Sequence, residues 1–213
     1  MKDFPVFTTE NGVASIVLRE IPYRGEAYIT IRDSLQPDAL LSECVDFCKM
    51  AGAERIYATG HSLLKKYPLH TTVVKMQQLR ENIPQADVAL FPVTEQTAEQ
   101  WRGLYNARMQ SVDNASTMTI DDMKKLLARG AGYFVHREGQ LLGIGIAQGE
   151  KIEAVASCCP GAGEQVLLAL CSALFSEKIV LEVATTNTRA VDLYHRLGFL
   201  ETEELSQWYK IKK

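Results

Sequence analysis

The sequence predicts an α/β protein with a mixed, mostly antiparallel sheet flanked by helices, and three observations lead to this prediction. Three apolar, β-branched segments separated by glycine turns predict an antiparallel meander, at residues 132–138, 141–148 and 151–157. A glycine-containing loop and an apolar pattern with helical spacing follow at residues 164–178. A buried strand at residues 179–185 then requires one parallel crossover near the middle of the sheet.

The remaining elements complete the order β-α-α-β-β-β-α-β-α-β-β from Asp87 onward. They are a strand at 87–93, helices at 97–110, 119–130 and 187–198, and a closing strand pair at 199–204 and 206–213. Thr119 and Asp122 stand in near capping-box spacing at the start of their helix. Gly198 follows the last predicted turn of its helix, where a C-terminal glycine is expected.

Residues 1–86 resemble an incomplete copy of the same plan, so we divide the chain into domains at 1–86 and 87–213. The pattern of residues 6–31 parallels that of residues 133–155, and both continue into a helix and then a strand. The copy lacks the opening β-α-α portion and any Gly-x-Gly between strand and helix. We therefore interpret it as a degenerate half-repeat, with a chance likeness between unrelated segments as the alternative.

The composition excludes several classes of partner. The 213 residues are 46% hydrophobic and 23% charged, and the formal net charge is -3. This balance argues against nucleic acid or an anionic membrane as the partner. No stretch approaches the roughly 20 apolar residues of a membrane span, and residues 1–12 carry no apolar run of a signal peptide. Five cysteines without a CxxC pair favour reduced thiols and a cytoplasmic location.

No spacing of cysteine or histidine predicts a metal site. Cys44 and Cys48 stand four apart and can share a helix face, but no second pair completes a ligand set. We predict that both are small buried apolar residues. The adjacent Cys158 and Cys159 leave two interpretations open: a reactive thiol pair at a helix start, or small residues that fill a loop.

Gly161-Ala162-Gly163 lies at the junction between the third strand of the meander and the following helix. A helix N-terminus has unpaired backbone N–H groups and about half a positive charge. Glycines let a phosphate approach that backbone without interference from a Cβ atom. The loop is therefore a candidate phosphate-binding site, although an isolated Gly-x-Gly is also common in ordinary turns.

The segment LEVATTNTRAVDLYHRLGF resembles the Gcn5-related N-acetyltransferase (GNAT) superfamily. The matching pattern comprises Leu181-Glu182-Val183, Asn187, Ala190, Leu193-Tyr194 and Leu197-Gly198-Phe199. Within the superfamily, this segment is most similar to ribosomal-protein alanine acetyltransferases. Gly161-x-Gly163 stands where the superfamily keeps its coenzyme A pyrophosphate loop, and the order of elements from Asp87 agrees as well.

The resemblance implies an enzyme that transfers an acetyl group directly from acetyl-CoA to an amine, with no metal. Tyr194 would protonate the departing sulfur, and Glu182 would act through a water molecule as the base that deprotonates the amine, with Glu153 as its rival. An amine near the lysine pKa is protonated at pH 7, so a base is required. The implied coenzyme-binding residues are Val155, Gly161, Ala162, Gly163, Glu164, Asn187 and Tyr194. Asn187 is also expected to cap the helix that it precedes.

Three residues depart from the family pattern at the loop. Cys158 stands in place of the family's Gln or Arg, Pro160 removes one N–H donor, and Glu164 adds a carboxylate beside the pyrophosphate. These departures keep an alternative open, a non-catalytic module with the GNAT fold that binds acyl-CoA or a protein partner. An enzyme for a longer acyl-CoA is a third hypothesis.

The amine acceptor is left open as a small molecule, a peptide N-terminus or a lysine, and a homodimer is an open assembly state. Residues 108–119, between the first two helices, would grip the acceptor. They carry no recognisable code for it.

Overall fold

The computed structural model describes residues 5–211, and these residues form two units whose boundaries fall inside two strands. Unit 1 contains residues 5–73 and 204–211, and unit 2 contains residues 74–203. This division differs from the one predicted at residues 86 and 87. Residues 74–86 belong to unit 2, and unit 1 takes its last strand from residues that follow unit 2. The independence of the two predicted domains stays a prediction.

Unit 1 begins with strands, then alternates helices and strands. Its elements are β1 (Val6–Thr9), β2 (Gly12–Val17), α1 (Ile21–Arg24), β3 (Glu26–Ser34), α2 (Pro37–Met50), β4 (Arg55–Thr59) and a 3₁₀ helix (Ser62–Lys66). Two strands contribute residues to both units, β5 (Leu69–Leu79) and β11 (Leu200–Ile211).

The sheet of unit 1 runs in the order β1-β2-β3-β4-β11. The first two pairs are antiparallel, β3 and β4 are parallel, and β4 and β11 are antiparallel with Tyr209 opposite Ala58. Helix α2 buries its apolar face, including Cys44 and Cys48, on this sheet. The order of a meander, a helix and a parallel strand matches the later part of the chain, but the half-repeat itself stays a prediction.

A buried carboxylate links two strands of unit 1. Only 6% of the Glu26 side chain is exposed, and it accepts from Arg24 Nε at 3.0 Å and from Arg55 Nη2 at 3.1 Å. The Tyr28 hydroxyl donates to the same carboxylate at 2.7 Å, and burial together with this carboxylate raises the pKa of Tyr28. Both oxygens of Glu26 are therefore satisfied, as a buried charge requires.

Unit 2 begins with the end of β5 and a 3₁₀ helix (Arg80–Asn82) that was not predicted, and then contains the elements predicted from Asp87 up to the closing strand. They are β6 (Ala89–Pro92), α3 (Ala98–Met109), α4 (Ile120–Arg129), β7 (Gly132–Arg137), β8 (Gln140–Gln148), β9 (Lys151–Ser157), α5 (Gly163–Ser172), β10 (Lys178–Ala184) and α6 (Thr188–Arg196). The predicted capping box of α4 is present, with Thr119 and Asp122 bonded reciprocally.

The sheet of unit 2 confirms the predicted meander and crossover. Its strands lie in the order β5-β10-β9-β8-β7-β6. Strands β6 to β9 pair antiparallel in sequence, and β9 and β10 are the parallel pair. One apolar core lies around α5 and α6, and a second lies around α3 and α4. The fold class is therefore the mixed α/β arrangement that the sequence predicts.

Two predicted elements differ in the structure. The helix predicted to residue 178 ends at Ser172, where the Arg80 guanidinium donates to the carbonyl oxygens of Cys171 and Leu174. Phe175 beyond it is 93% exposed, so the apolar helical face does not continue. The predicted closing strand pair is the single strand β11, because the sequence around Leu205 has no Gly, Pro or Asn to turn the chain. Residues 212 and 213 lie outside the described residues.

Within residues 5–211, no helix is long and apolar enough to cross a membrane. Nor does that part of the chain contain three or more His, Cys, Asp or Glu side chains placed to hold a metal ion.

Candidate functional site

Strands β9 and β10 are paired over only part of their length. Val180 lies opposite Lys151 and Leu181 opposite Ile152, and no later pair joins the two strands within the described part of the chain. Strand β9 nevertheless stays paired with β8 through to Ser157. The two parallel neighbours are therefore unpaired along their C-terminal halves, which leaves backbone groups available to a third extended chain.

A β-bulge marks the point where this pairing stops. Ile146 of β8 lies opposite Ala154, whereas the next residue, Ala147, lies opposite Ile152. Glu153 is therefore the extra residue of β9, and it immediately follows the last position paired with β10. Bulges bend a strand and redirect its side chains. This one lies where β9 leaves β10, and Val155 beyond it is half-buried against the core around α5.

The N-terminus of α5 lacks a side-chain cap. Its N-cap residue is Ala162, which offers no side-chain hydrogen bond. By contrast, Thr119 caps α4, and Asn187 caps α6 by accepting from the Ala190 N–H at 3.4 Å, as predicted. The first N–H groups of α5 therefore have neither an intrahelical acceptor nor a cap.

The loop before α5 leaves space beside this helix start. Gly161 has a φ of +78°, a conformation that favours glycine, and a Cβ atom placed there would meet nothing within 4 Å. At Gly163 a Cβ atom would meet only the Leu193 side chain, at 3.5 Å. Glu164 in the first turn is exposed. The backbone is thus open to a ligand, with one carboxylate nearby.

Two glycines of β8 position α5, and neither of them was among the predicted functional residues. A Cβ atom at Gly143 would lie 2.6 Å from the Val166 side chain, and one at Gly145 would lie 2.2 Å from the Leu170 side chain. Only glycine permits this close approach of helix to strand. The alternation in LLGIGIAQ was the available signal, because two glycines on one face of a buried strand indicate an element packed against the backbone.

Tyr194 is buried on α6. Its side chain is part of the core around α5, and its ring lies 6.1 Å from that of Phe199. Burial, with a smaller contribution from Cys171, raises the pKa of Tyr194 to about 12. The phenol therefore keeps its proton near neutral pH, as a proton donor must.

The two candidate bases are both bound to cations. Glu182 is exposed, and it forms an ion pair with Lys151 of β9, while its neighbours Leu181 and Val183 are buried on the other face. Glu153 binds the Arg129 guanidinium through both oxygens, at 2.8 and 3.1 Å, and this pairing raises the pKa of Arg129. A flexible lysine with a single contact is easier to displace than a two-bond arginine fork, so Glu182 is the more accessible carboxylate.

Arg108, in the last turn of α3, reaches the glycine loop. Its Nη2 donates to the carbonyl oxygen of Cys158 at 3.1 Å. No local spacing connects residues 108 and 158, so the sequence did not reveal this contact.

The thiols of Cys158 and Cys159 have different surroundings. Burial raises the pKa of the Cys158 thiol, and the nearby Arg108 guanidinium opposes this rise only in part. The Cys159 thiol donates to the Leu141 carbonyl oxygen at 3.3 Å. These contacts favour the loop-filling interpretation of the cysteine pair.

The segment predicted to bind the acceptor, residues 108–119, is held near its C-terminal end by hydrogen bonds. Asn106 of α3 binds Met118 through both the backbone N–H, at 2.7 Å, and the carbonyl oxygen, at 3.1 Å. Between them, Asn114 has a φ of +59°, and neither polar atom of its side chain has a hydrogen-bond partner among the described residues. The loop thus offers a polar group, but its geometry identifies no acceptor.

No family model matches the chain, and no curated protein matches it. Solved structures do match. A GCN5-related N-acetyltransferase from Sphaerobacter thermophilus has a TM-score of 0.60 at 11% identity, over 93% of this chain and 76% of that one. A GNAT-family acetyltransferase from Colwellia psychrerythraea has a TM-score of 0.53 at 14% identity, over 97% and 84% of the two chains.

A conserved protein of unknown function from Staphylococcus epidermidis has a TM-score of 0.59 at 11% identity, and the match covers 99% of this chain and 94% of that chain. At these identities the likeness concerns the fold alone. The chain therefore has the GNAT fold. The finer likeness to ribosomal-protein alanine acetyltransferases stays a prediction.

Proposed function

We propose that this GNAT-fold chain is an N-acetyltransferase that moves the acetyl group of acetyl-CoA directly to an amine. The observation that supports this most is the uncapped start of α5 at Gly161-x-Gly163. This loop follows β9, the strand whose C-terminal half is not paired with its parallel neighbour β10. A helix start of this kind attracts phosphate, and two unpaired strands can receive an extended, amide-containing arm. Coenzyme A contains both groups.

In this proposal the pyrophosphate accepts from the backbone N–H groups of residues 161–165. The pantetheine arm lies along β9 beside Val155 and hydrogen-bonds to the backbone that β10 leaves unpaired. Asn187 caps α6 and touches the same arm. The thioester then lies near the bulge at Glu153.

The proposed chemistry is one direct transfer. Glu182 takes a proton from the ammonium through a water molecule, and the neutral nitrogen attacks the thioester carbonyl. A C–N bond forms, the C–S bond breaks, and the sulfur receives its proton from the Tyr194 hydroxyl. The nitrogen loses its second proton to solvent as the amide forms, and solvent returns a proton to the Tyr194 oxygen. Because the Lys151 ammonium pairs with Glu182 in the structure, the incoming ammonium and its water must displace it.

Titration of the full chain with acetyl-CoA tests the first step, and thiol release with a library of small amines and peptide N-termini tests the second. We expect saturable binding and thiol release with at least one acceptor. Absence of binding at millimolar acetyl-CoA would contradict the proposal.

Gly161→Asp is expected to abolish coenzyme binding, with Gly161→Asn as its matched control. Both side chains tolerate a positive φ better than other residues do, and a Cβ atom there meets nothing within 4 Å. Only the Asp adds a negative charge beside the pyrophosphate. Calorimetry should therefore show a loss of binding in the Asp variant and a smaller loss in the Asn variant. Equal affinities for both would place the phosphate elsewhere.

Glu182→Gln is expected to lower activity near pH 7 and to recover it as the pH rises toward the pKa of the amine. Without a base, only acceptor that is already deprotonated reacts. Lys151→Met is the control, because it removes the same ion pair but keeps the carboxylate. If both variants lose activity equally, at every pH, Glu182 matters only as the partner of Lys151, and the base is another group.

A second candidate function is a non-catalytic acyl-CoA-binding module, and the exposed Glu164 favours it. A carboxylate in the first turn of α5 weakens the attraction of that helix start for phosphate. Saturable binding of acetyl-CoA without thiol release from any amine of the library would support this module.

A further inference from the structure

The glycine loop lacks a positive charge of its own. Cys158 stands where the resemblance places Gln or Arg, and burial raises the pKa of its thiol, which has no positive charge in either protonation state. Glu164, on the other side of the glycines, adds a negative charge in the first turn of α5. A pyrophosphate at this loop would therefore meet backbone N–H groups and a carboxylate, but no cation from the loop itself.

Helix α3 brings a cation to this loop from another part of unit 2. The Arg108 guanidinium lies 3.1 Å from the carbonyl oxygen of Cys158, the first residue of the loop. Its positive charge lowers the pKa of the Cys158 thiol, and this is the largest of the effects that oppose the rise caused by burial. Arg108 is exposed, and a guanidinium has five N–H donors, so one contact with a carbonyl leaves donors for a ligand.

We propose that Arg108 supplies the cation that binds the pyrophosphate of coenzyme A, in place of the Gln or Arg that this loop lacks. This rests on the proposed function, because it assigns a residue to the coenzyme site. The guanidinium fork matches two phosphate oxygens, and it turns toward the ligand from its present contact with the Cys158 carbonyl.

The binding of a coenzyme series to the full-length protein and to Arg108→Gln tests the proposal. The ligands are CoA, 3′-dephospho-CoA and pantetheine, measured by calorimetry at low and at high salt. Arg108→Lys keeps the charge without the fork. Lys178→Gln is the control, because it also removes one positive charge. Lys178 begins β10, at the end of the β9–β10 pair that is away from the loop.

We expect Arg108→Gln to weaken CoA and 3′-dephospho-CoA by the same factor, about 10-fold or more. The difference from the unmodified chain should shrink at high salt. Arg108→Lys should recover part of the loss, and Lys178→Gln should bind as the unmodified chain does. Pantetheine, which has no phosphate, should bind both Arg108 variants and the unmodified chain equally.

The other outcomes separate this inference from the proposed function. Unchanged CoA affinity in Arg108→Gln would overturn the role of Arg108 and leave the acetyltransferase proposal standing. A loss confined to CoA would place Arg108 on the 3′-phosphate and overturn its assignment to the pyrophosphate. A loss that includes pantetheine would show that Arg108 only holds the loop in shape. If the unmodified chain does not bind CoA, both proposals fail.

Discussion

Tyr194→Phe is expected to lower the rate of acetyl transfer about 100-fold while leaving the affinity for acetyl-CoA nearly unchanged. Loss of a general acid costs a factor of about 100 to 10,000, and a thiolate is a tolerable leaving group, which favours the lower end. The ring remains in the core beside Phe199, so folding should change little. Thiol release with an identified acceptor measures the rate, and calorimetry measures the affinity.

Two features make this substitution informative. Because burial raises the pKa of Tyr194 from 10.0 to about 12, the hydroxyl is protonated across the neutral range, and its removal should lower the rate at every pH there. Tyr133→Phe is the control, because it removes the hydroxyl of a second tyrosine, which is partly buried and packs against the same core. Full activity in Tyr194→Phe would make Tyr194 a packing residue only.

Glu26→Ala is expected to destabilise unit 1 by about 3–5 kcal/mol, as is usual when one partner of a buried ion pair is removed. The change leaves the Arg24 guanidinium, whose side chain is 7% exposed, without the carboxylate that it binds at 3.0 Å. It also removes the acceptor of the Tyr28 hydroxyl. No comparable loss is expected from Glu10→Ala, an exposed carboxylate in the same unit, which should change stability by less than about 0.5 kcal/mol.

Denaturant unfolding in a Trp101→Phe background would follow this effect with a reporter in unit 1. Trp208 then remains as the fluorescent reporter, and its ring packs edge-on against Tyr28 at 5.5 Å. A loss below about 1 kcal/mol would mean that the two arginines reach solvent when the carboxylate is removed. That result would contradict the conclusion that Glu26 and the groups that bind it are held in a buried environment.

Features with a local signal could be predicted from the sequence. The meander followed from alternating apolar segments separated by glycine turns, and the reciprocal bonds of Thr119 and Asp122 followed from residues three apart. Asn187 caps α6 because its side chain reaches an N–H three residues later. In each case the interacting groups lie close together along the chain, so composition and spacing contain the information.

Features that join distant parts of the chain could not be predicted in this way. The contact of Arg108 with Cys158 connects residues 50 positions apart, and the hydrogen bonds of Arg80 at the end of α5 connect residues 91 and 94 positions apart. The helix was therefore predicted too long, since its stopping point depends on a cation from another segment. The cation partner of Glu182, Lys151, likewise lies on a different strand, and only the register of β9 and β10 brings the two charges together.

The ribosome completes unit 1 late, because the last strand of this unit is synthesised after unit 2. Strand β4 pairs on one side with β3 and on the other with residues 209–211 of β11, and all of unit 2 lies between them in the sequence. At usual rates of translation the ribosome needs on the order of ten seconds to make that stretch. During this time the outer edge of β4 has no strand to bind, and such an edge pairs readily with other chains. A chain that ended after residue 203 would keep this edge of β4 open.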